Sequence, residues 1–407
     1  MTDTEPALLA AVERMCADAA YRRRVLDFAV DIDAQRALAR FNTAIHPGDQ
    51  MLLHSLKQHR DAGAAFSQYF NIALQQHAAA RQLMRAAFGA DARDIDVLDF
   101  ACGYGRLLRF LSLSIDPRRI WASDLQTDAV DFVRDAFGVQ PLASHEDPSR
   151  FEPGRRFDFI WVASLFSHLP EPLFHAWLAR LVALLTPRGV LCFSVRDASL
   201  LPDASTLPAS GLAYARESEN ADLAGDIYGT AYASEAFVCD ALRTATRDAR
   251  AYVRLQRALA NEQDLYVVAG DAARDLTPLR AFRRGPWGWV DVRRLSPDGT
   301  LDLQGWAASL DDGAVEAVEI DVAGELHALR PSIARPDVSA AFRDARLEDS
   351  GWAFGADLGG ARSARVVASA RTRRGERALL YAGEIGRADV QDGVIGYNRG
   401  PRSPAPP

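Results

Sequence analysis

Cysteine is scarce in this chain: Cys16, Cys102, Cys192 and Cys239 stand far apart among 407 residues, and no two form a C-x-x-C pair. That spacing supports neither a disulfide framework nor a zinc-ligand set, and no metal site is expected. Cys192 and Cys239 are expected simply to pack. Lysine is almost missing, with Lys57 standing alone, so arginine carries the positive charge. Lys and Arg total 47 against 54 Asp and Glu, a net charge of −7. Such a chain lacks the field with which duplex nucleic-acid binders displace phosphate counterions, so no nucleic-acid partner is expected. Also lacking is any run near the ~20 apolar residues of a membrane span. The opening stretch MTDTEPALLAAVERMCADAA has an acidic head and no long apolar core of the signal-peptide kind. No membrane span and a cytoplasmic location are therefore expected.

What is present is globular: 48% of residues are hydrophobic and 25% charged, which separates the chain from disordered and membrane classes. Its length exceeds a usual single core, so two or three folding units are expected. Residues 1–92 read as a helical cap. Leu8, Leu9, Val12 and Met15 recur at helical spacing, as do Phe66, Phe70, Leu74, Leu83, Met84 and Phe88, with a break at HPGDQ, 46–50. From 93 to 271 the texture alternates between strand and helix. Strand-like runs are DVLDF, RIWAS, VQPLA, FDFIWVAS, VLCFSV and DLYVVAG. The clearest helix begins at Pro172, with a stripe of Leu173, Phe174, Trp177, Leu178, Leu181, Leu184 and Leu185 stopped by T-P-R-G. This alternation predicts an α/β fold, a doubly wound, mostly parallel sheet covered on both faces.

After an Arg- and Pro-rich linker, 272–286, short alternating segments punctuated by Pro-Asp-Gly, Asp-Asp-Gly and Gly-Gly turns predict an all-β sandwich over 287–385, followed by a tail, 386–407. The abrupt change of texture suggests that the part beyond 286 folds by itself, and that a chain ending near 275 keeps its ligand site.

The strongest local signal is VLDFACGYGRLLRFL, 97–111: an apolar strand through Asp99, a small-residue turn, then Gly103 and Gly105 leading into a helix. Glycines there let a ligand approach the backbone, and the helix start offers free N–H groups. A second strand ends at Asp124, close to the ~20-residue offset of an acid that grips a ribose diol. Asp124 also reads as a cap for the helix that follows. A dinucleotide dehydrogenase would place a third glycine at 108, where Leu108 stands.

The run Asp99, Phe100, Ala101, Cys102, Gly103, Tyr104, Gly105 resembles the first motif of class I S-adenosylmethionine-dependent methyltransferases, acid-x-Gly-x-Gly-x-Gly, with Ala101 replacing the first glycine. The resemblance covers about 93–271 and includes Asp124, FDFIWVAS followed by LFSHLP, TPRG before VLCFSV, and a closing pair, AYVRLQRAL and QDLYVVAG. FSHLP together with 211–238 looks like a bacterial subgroup of the family.

It implies a seven-stranded, mostly parallel sheet and S-adenosyl-L-methionine as cofactor. The amino-acid end would lie near Asp99, Ala101, Gly103, Tyr104 and Gly105, and the ribose on Asp124. Adenine would fall beside Leu125, Ser144, His145 and Glu146, and the acceptor over Ala163 and Ser164. His168, just past the fourth strand, is the candidate general base, or else a histidine that fixes its loop by bonding backbone. Tyr69 is a second catalytic candidate, or a core residue at helical spacing with Phe66 and Leu74. Arg106 reads as either a partner for the cofactor carboxylate or a solvated side chain.

The sandwich, with RPDV (335–338) and SGW (350–352), is similar to β-rich modules appended to bacterial glycosyltransferases. Its Trp287, Trp289, Trp306 and Trp352 read as either a sugar-stacking face or core. The leading expectation is methyl transfer to a small-molecule or glycan-type acceptor. A nucleotide-dependent oxidoreductase and a noncatalytic partner protein are the alternatives.

Overall fold

The computed structural model describes residues 5–201, 207–217, 223–246, 251–387 and 391–392. The chain opens with helices α1 Glu5–Ala17, α2 Ala19–Leu26, α3 Ala34–Ala37, α4 Gln50–His59 and the long α5 Ala62–Phe88. Asp18 and Asp33 cap α2 and α3 by accepting amides of the first turn. Among the described residues no helix is long and apolar enough to cross a membrane.

The chain divides into two compact units. One joins Ala29–Asp49 to Ala73–Arg283; the other joins Met1–Phe28, Gln50–Ile72 and Arg284–Pro407. This division differs from the boundaries expected at 92 and 286, because the N-terminal helices are shared between the two units instead of forming a cap of their own.

In the first unit the alternating segments form β1 Val97–Phe100, α6 Leu108–Ser114, β2 Ile120–Asp124, α7 Thr127–Phe137, β3 Gln140–Ala143, β4 Phe157–Val162, α8 Glu171–Ala183 and β5 Leu185–Val195. They continue through a small hairpin, β6 Leu212–Ala215 and β7 Thr230–Ala233, to α9 Glu235–Thr246, β8 Tyr252–Leu259 and β9 Gln263–Ala269. The seven-stranded sheet has the order β3-β2-β1-β4-β5-β9-β8. β1 to β5 are parallel neighbours, and β9 runs antiparallel to both β5 and β8. Every residue of β1 and β4 is buried, as strands covered on both faces require.

One face carries Ala80, Leu83 and Met84 of α5 with Leu108, Leu111 and Val133 against Val97, Phe159, Trp161 and Cys192. The other carries Phe174, Trp177, Leu178 and Phe237 against Leu98, Ile160, Leu191 and Phe193. The expected stop of α8 at T-P-R-G moves: the helix ends at Ala183, and Leu185 already pairs with Phe157, so these four residues open β5. The chain winds outward in both directions from β1, and the carboxyl ends of β1, β2 and β4 form the crevice where open α/β sheets bind ligands.

In the second unit the two C-terminal sheets are antiparallel. The strands are β10 Pro286–Leu295, β11 Thr300–Ser309, β12 Gly313–Ala314, β13 Ala317–Val322, β14 Glu325–Leu329, β15 Gly351–Asp357, β16 Ser363–Arg371, β17 Arg377–Gly386 and β18 Gln391–Asp392, with a short helix, α10 Pro336–Phe342, before β15. One sheet runs β12-β11-β10-β18 with β15 on β11; the other runs β14-β13-β16-β17. Val290, Leu303, Ile320, Val366, Ala368 and Leu380 from both sheets share one core with Ala64 of α5. The approach of α5 is close: a Cβ on Gly63 would stand 2.6 Å from the Tyr381 hydroxyl, and Ser67 Oγ accepts from the Ala382 amide at 2.8 Å. The expected tail is in part strand, since β17 reaches Gly386 and β18 pairs with β10; the rest of it lies outside the described residues.

Two of the four tryptophans are core, and the half-buried Trp287 and Trp289 pack against the cluster of Trp306. Trp352 is buried in the core between the sheets, and Trp306 is buried in a separate cluster with Val338 and Phe342 of α10. Trp289 is half-buried, its ring stacked on His59 at 4.8 Å. The R-P-D-V motif is a structural clasp. Arg335 pairs with Asp291 at 2.7 Å and bidentately with Asp337, pinning the bulged β10 to α10. Burial outweighs this pairing and pushes the Asp291 carboxyl up to about 6.

Candidate active site

The glycine turn of the first unit is fixed by local bonds. The Cys102 amide donates to the Ser123 carbonyl, and the Gly105 amide to that of Cys102. Ala101, Gly103 and Gly105 all have positive φ, +57°, +50° and +76°. Ala101 takes the left-handed conformation without being glycine, a strain of the kind concentrated at functional sites.

The two glycines have different surroundings. A Cβ on Gly105 would stand 2.7 Å from the Phe137 ring and 2.9 Å from Val133, whereas one on Gly103 would meet nothing within 4 Å. Gly105 is therefore required by packing, while Gly103 faces open space. Gly103→Ala should cost only the left-handed strain, about 1–2 kcal/mol. Gly105→Ala should cost a further ~1–3 kcal/mol of overpacking. Denaturant midpoints of the two variants check this; equal losses would contradict the packing distinction.

Asp99 and Asp124 flank the turn. Asp99 is 4% exposed and makes no hydrogen bond from its carboxyl to any described residue. Burial, and after it the neighbouring Asp124, pushes its carboxyl well above the usual range. Asp124, at the carboxyl end of β2, accepts the Gly103 amide at 2.8 Å on one oxygen and the Gln126 amide at 3.0 Å on the other. Burial raises it as well, opposed by the amides of Gln126, Gly103 and Leu125. A carboxylate has about four acceptor positions, so these two bonds leave room for a diol. Asp124 thus fastens the glycine turn and opens the next helix while keeping acceptor capacity.

Tyr104 is buried, and its hydroxyl donates to Asp128 at 2.6 Å. Burial first, and then this bond, pushes the phenol far up. The His46 ring stacks on Tyr104 at 4.6 Å. The segment before His46 is tied across α6 and α7 by Arg40 to the Ser112 carbonyl, Asn42 to that of Ala136, and Arg109 to that of Ala44. The break at HPGDQ therefore supplies a site-bordering residue that sequence reading treated as punctuation. Leu125 is 39% exposed at the end of β2, an unusual place for a large apolar side chain. On the loop after β3, Ser144 is half-buried and Glu146 exposed, and His145 Nδ1 accepts the Asp147 amide.

Beyond β4, Ala163 is half-buried and Ser164 has φ +60°. The Ser164 amide donates to Ser194 Oγ at 2.7 Å, Ser194 Oγ to Gln263 Oε1 at 2.6 Å, and Gln263 Nε2 to Ser164 Oγ at 3.0 Å. Ser194 and Gln263 were not legible as site residues; they lie far along the chain and meet only because β9 pairs with β5. His168 is buried, and its Nδ1 bonds the Gly229 carbonyl at 2.6 Å. The Gly229 amide donates back to the His168 carbonyl, and Tyr228 stacks on the imidazole at 4.4 Å. Part of the 211–238 segment lies outside the described residues. Tyr69 falls in the other unit, 1% exposed and edge-on to Phe70. Arg106 is half-buried beside the turn.

Residues 70–236 match the family model of a methyltransferase domain. No curated protein matches the chain. Among solved structures, an S-adenosylmethionine-dependent methyltransferase from Clostridium acetobutylicum is similar at 16% identity and a TM-score of 0.33, over 46% of this chain and 90% of that one. A 1,6-didemethyltoxoflavin-N1-methyltransferase from Burkholderia thailandensis, with bound 1,6-didemethyltoxoflavin and S-adenosylhomocysteine, is 22% identical at a TM-score of 0.34, over 48% and 79%. A glycopeptide N-methyltransferase complexed with sinefungin is 17% identical at 0.35, over 47% and 93%. The matched segment holds the glycine turn, both acids and the loop after β4.

Proposed function

We propose that the unit formed by residues 29–49 and 73–283 is an S-adenosylmethionine-dependent methyltransferase acting on a small-molecule or glycan-type acceptor, with residues 284–407 serving acceptor recognition or docking. The observation that carries this reading is a buried, partnerless carboxyl, Asp99, beside a glycine turn open above Gly103, at the carboxyl ends of β1 and β2. A cationic ligand group is what such a carboxyl lacks. The donor set fits the cofactor: Asp99 for its ammonium, the turn from Ala101 to Gly105 for close approach, Asp124 for the ribose hydroxyls, and the exposed Leu125 with Ser144 and Glu146 around the adenine.

When bound, the cofactor supplies an activated methyl group, so the protein's share of the chemistry is positioning and proton removal. Ala163 and Ser164, held by Ser194 and Gln263, would present the acceptor, and His168 would take its proton. Tyr69 is left out of this assignment.

Calorimetry with S-adenosylmethionine and S-adenosylhomocysteine tests the reading. Micromolar binding is expected, weakened about tenfold to a hundredfold by Asp124→Ala, because the diol loses a buried acceptor worth ~1–3 kcal/mol. A wild type that binds a nicotinamide dinucleotide in place of these ligands, or an Asp124→Ala variant that binds them unchanged, would sink it.

A further inference from the structure

Asp99, Trp161 and His77 are three of the buried polar side chains of the first unit with hydrogen-bonding atoms that have no partner among the described residues. Trp161 is fully buried, and its indole Nε1 has no partner. It stands beside Asp99 in the parallel register of β1 and β4, so both side chains leave the same face of the sheet as neighbours. The two do not bond each other, so the indole N–H and the carboxyl each keep their capacity for something else. The third is His77 on α5, wholly buried with neither ring nitrogen bonded. Burial, with nearby Arg81, lowers its pKa to about 3, so the ring is neutral and carries one N–H.

His77 lies near the same place. Its ring is 5.7 Å from that of Phe110, in the first turn of the helix that leaves the glycine turn. Ala80 and Met84, further along α5, share with Trp161 the core on that face of the sheet. α5 runs opposite to β1: Phe88 at its end lies under the Arg188 guanidinium at the opening of β5, whereas His77 lies beside Phe110 at the start of α6. Going back from Met84 to His77 therefore climbs ~10 Å toward the carboxyl ends of the strands, at about 1.5 Å per residue. Asp99 stands ~7 Å above Val97 at about 3.3 Å per residue. Asp99 and Trp161 stand side by side at the strand that enters the turn and His77 beside the helix that leaves it, and unused groups of complementary chemistry gathered there point to a ligand.

We infer that Trp161 and His77 donate hydrogen bonds to the carboxylate at the amino-acid end of the cofactor, completing with Asp99 a pocket that reads a zwitterion. The inference rests on the methyltransferase reading and adds residues to it. Indole is a donor only, and a neutral imidazole has one donor, which suits an acceptor-only carboxylate. Neither group is cationic. The charge of the carboxylate is then balanced by the ammonium of the same ligand on Asp99, and a nucleoside without that amino-acid end gains nothing from the pocket.

The test is calorimetry on the full chain with S-adenosylhomocysteine and with 5′-methylthioadenosine, which carries the same nucleoside without the amino acid. Trp161→Phe and His77→Leu should each weaken S-adenosylhomocysteine binding at least tenfold and leave 5′-methylthioadenosine within twofold of wild type. His77→Gln, which keeps a donor, should recover part of the loss. Variants that melt like wild type yet bind S-adenosylhomocysteine equally well, or lose both ligands alike, overturn the inference. A wild type that binds neither ligand overturns the methyltransferase reading itself, and this inference with it.

Discussion

A chain cut after residue 275 should fail to fold. Leu276 and Leu279 are buried in the core between α5 and the seven-stranded sheet, and each such loss is worth ~2–5 kcal/mol. The cut also removes the two sheets that the helices of the second unit pack against. Ala64 sits in the core of the two C-terminal sheets, Gly63 abuts Tyr381, and Ser67 bonds both the amide and the carbonyl of Ala382. Arg24 pairs with Asp321, and Arg365 lies over the Tyr21 ring while pairing with Asp18. Against a total stability of ~5–15 kcal/mol, these losses leave no margin. The truncated chain is expected in the insoluble fraction, or, if soluble, without a cooperative melt and without S-adenosylhomocysteine binding. A soluble, monomeric chain with a sharp melt and near wild-type binding would show that residues 276–407 are an independent appendage, as the change of sequence texture alone suggests.

That contrast marks what local pattern encodes. β1, β2, β4, β5 and β9 were legible because strands buried on both faces read as apolar runs, and Asp124 because its distance from Asp99 is set within a single strand-helix-strand unit. α10 and β14 are short, with Leu326 and Ile333 exposed nearby, and gave no periodic signal. The T-P-R-G segment looks like a helix stop because proline and glycine are there, yet a register shift between β4 and β5 absorbs it into a strand. The sharing of the N-terminal helices between two units was invisible for a different reason. Ser67 and Ala382 are more than three hundred residues apart, and no periodicity in either segment names the other. The site divides in the same way. Its glycine turn and acids are local, whereas Gln263 at Ser164, Gly229 at His168 and His46 on Tyr104 are long-range meetings.

His168→Ala should lower turnover by ~10²–10⁴, the usual contribution of a positioned general base, while cofactor affinity stays within about threefold of wild type. The Gly229 carbonyl can only accept, so Nδ1 carries the proton in that bond, and the acceptor lone pair of the neutral ring belongs to Nε2. The stacked Tyr228 and the return bond from the Gly229 amide to the His168 carbonyl hold the imidazole in one orientation. A fixed tautomer and orientation are what a general base at this position would need. The same bonds also fasten the loop after β4 to the segment leading into β7, together with the Ala231 amide on the Ser167 carbonyl. A purely structural role would therefore lower turnover as well, and a second variant separates the two. His168→Asn keeps a side-chain N–H for the Gly229 carbonyl but has no basic nitrogen. If His168 is the base, the asparagine variant should be as slow as the alanine one. Recovery of near wild-type turnover by asparagine would leave His168 as the fastener of its loop and require the proton acceptor to be sought elsewhere along the ends of β4 and β5.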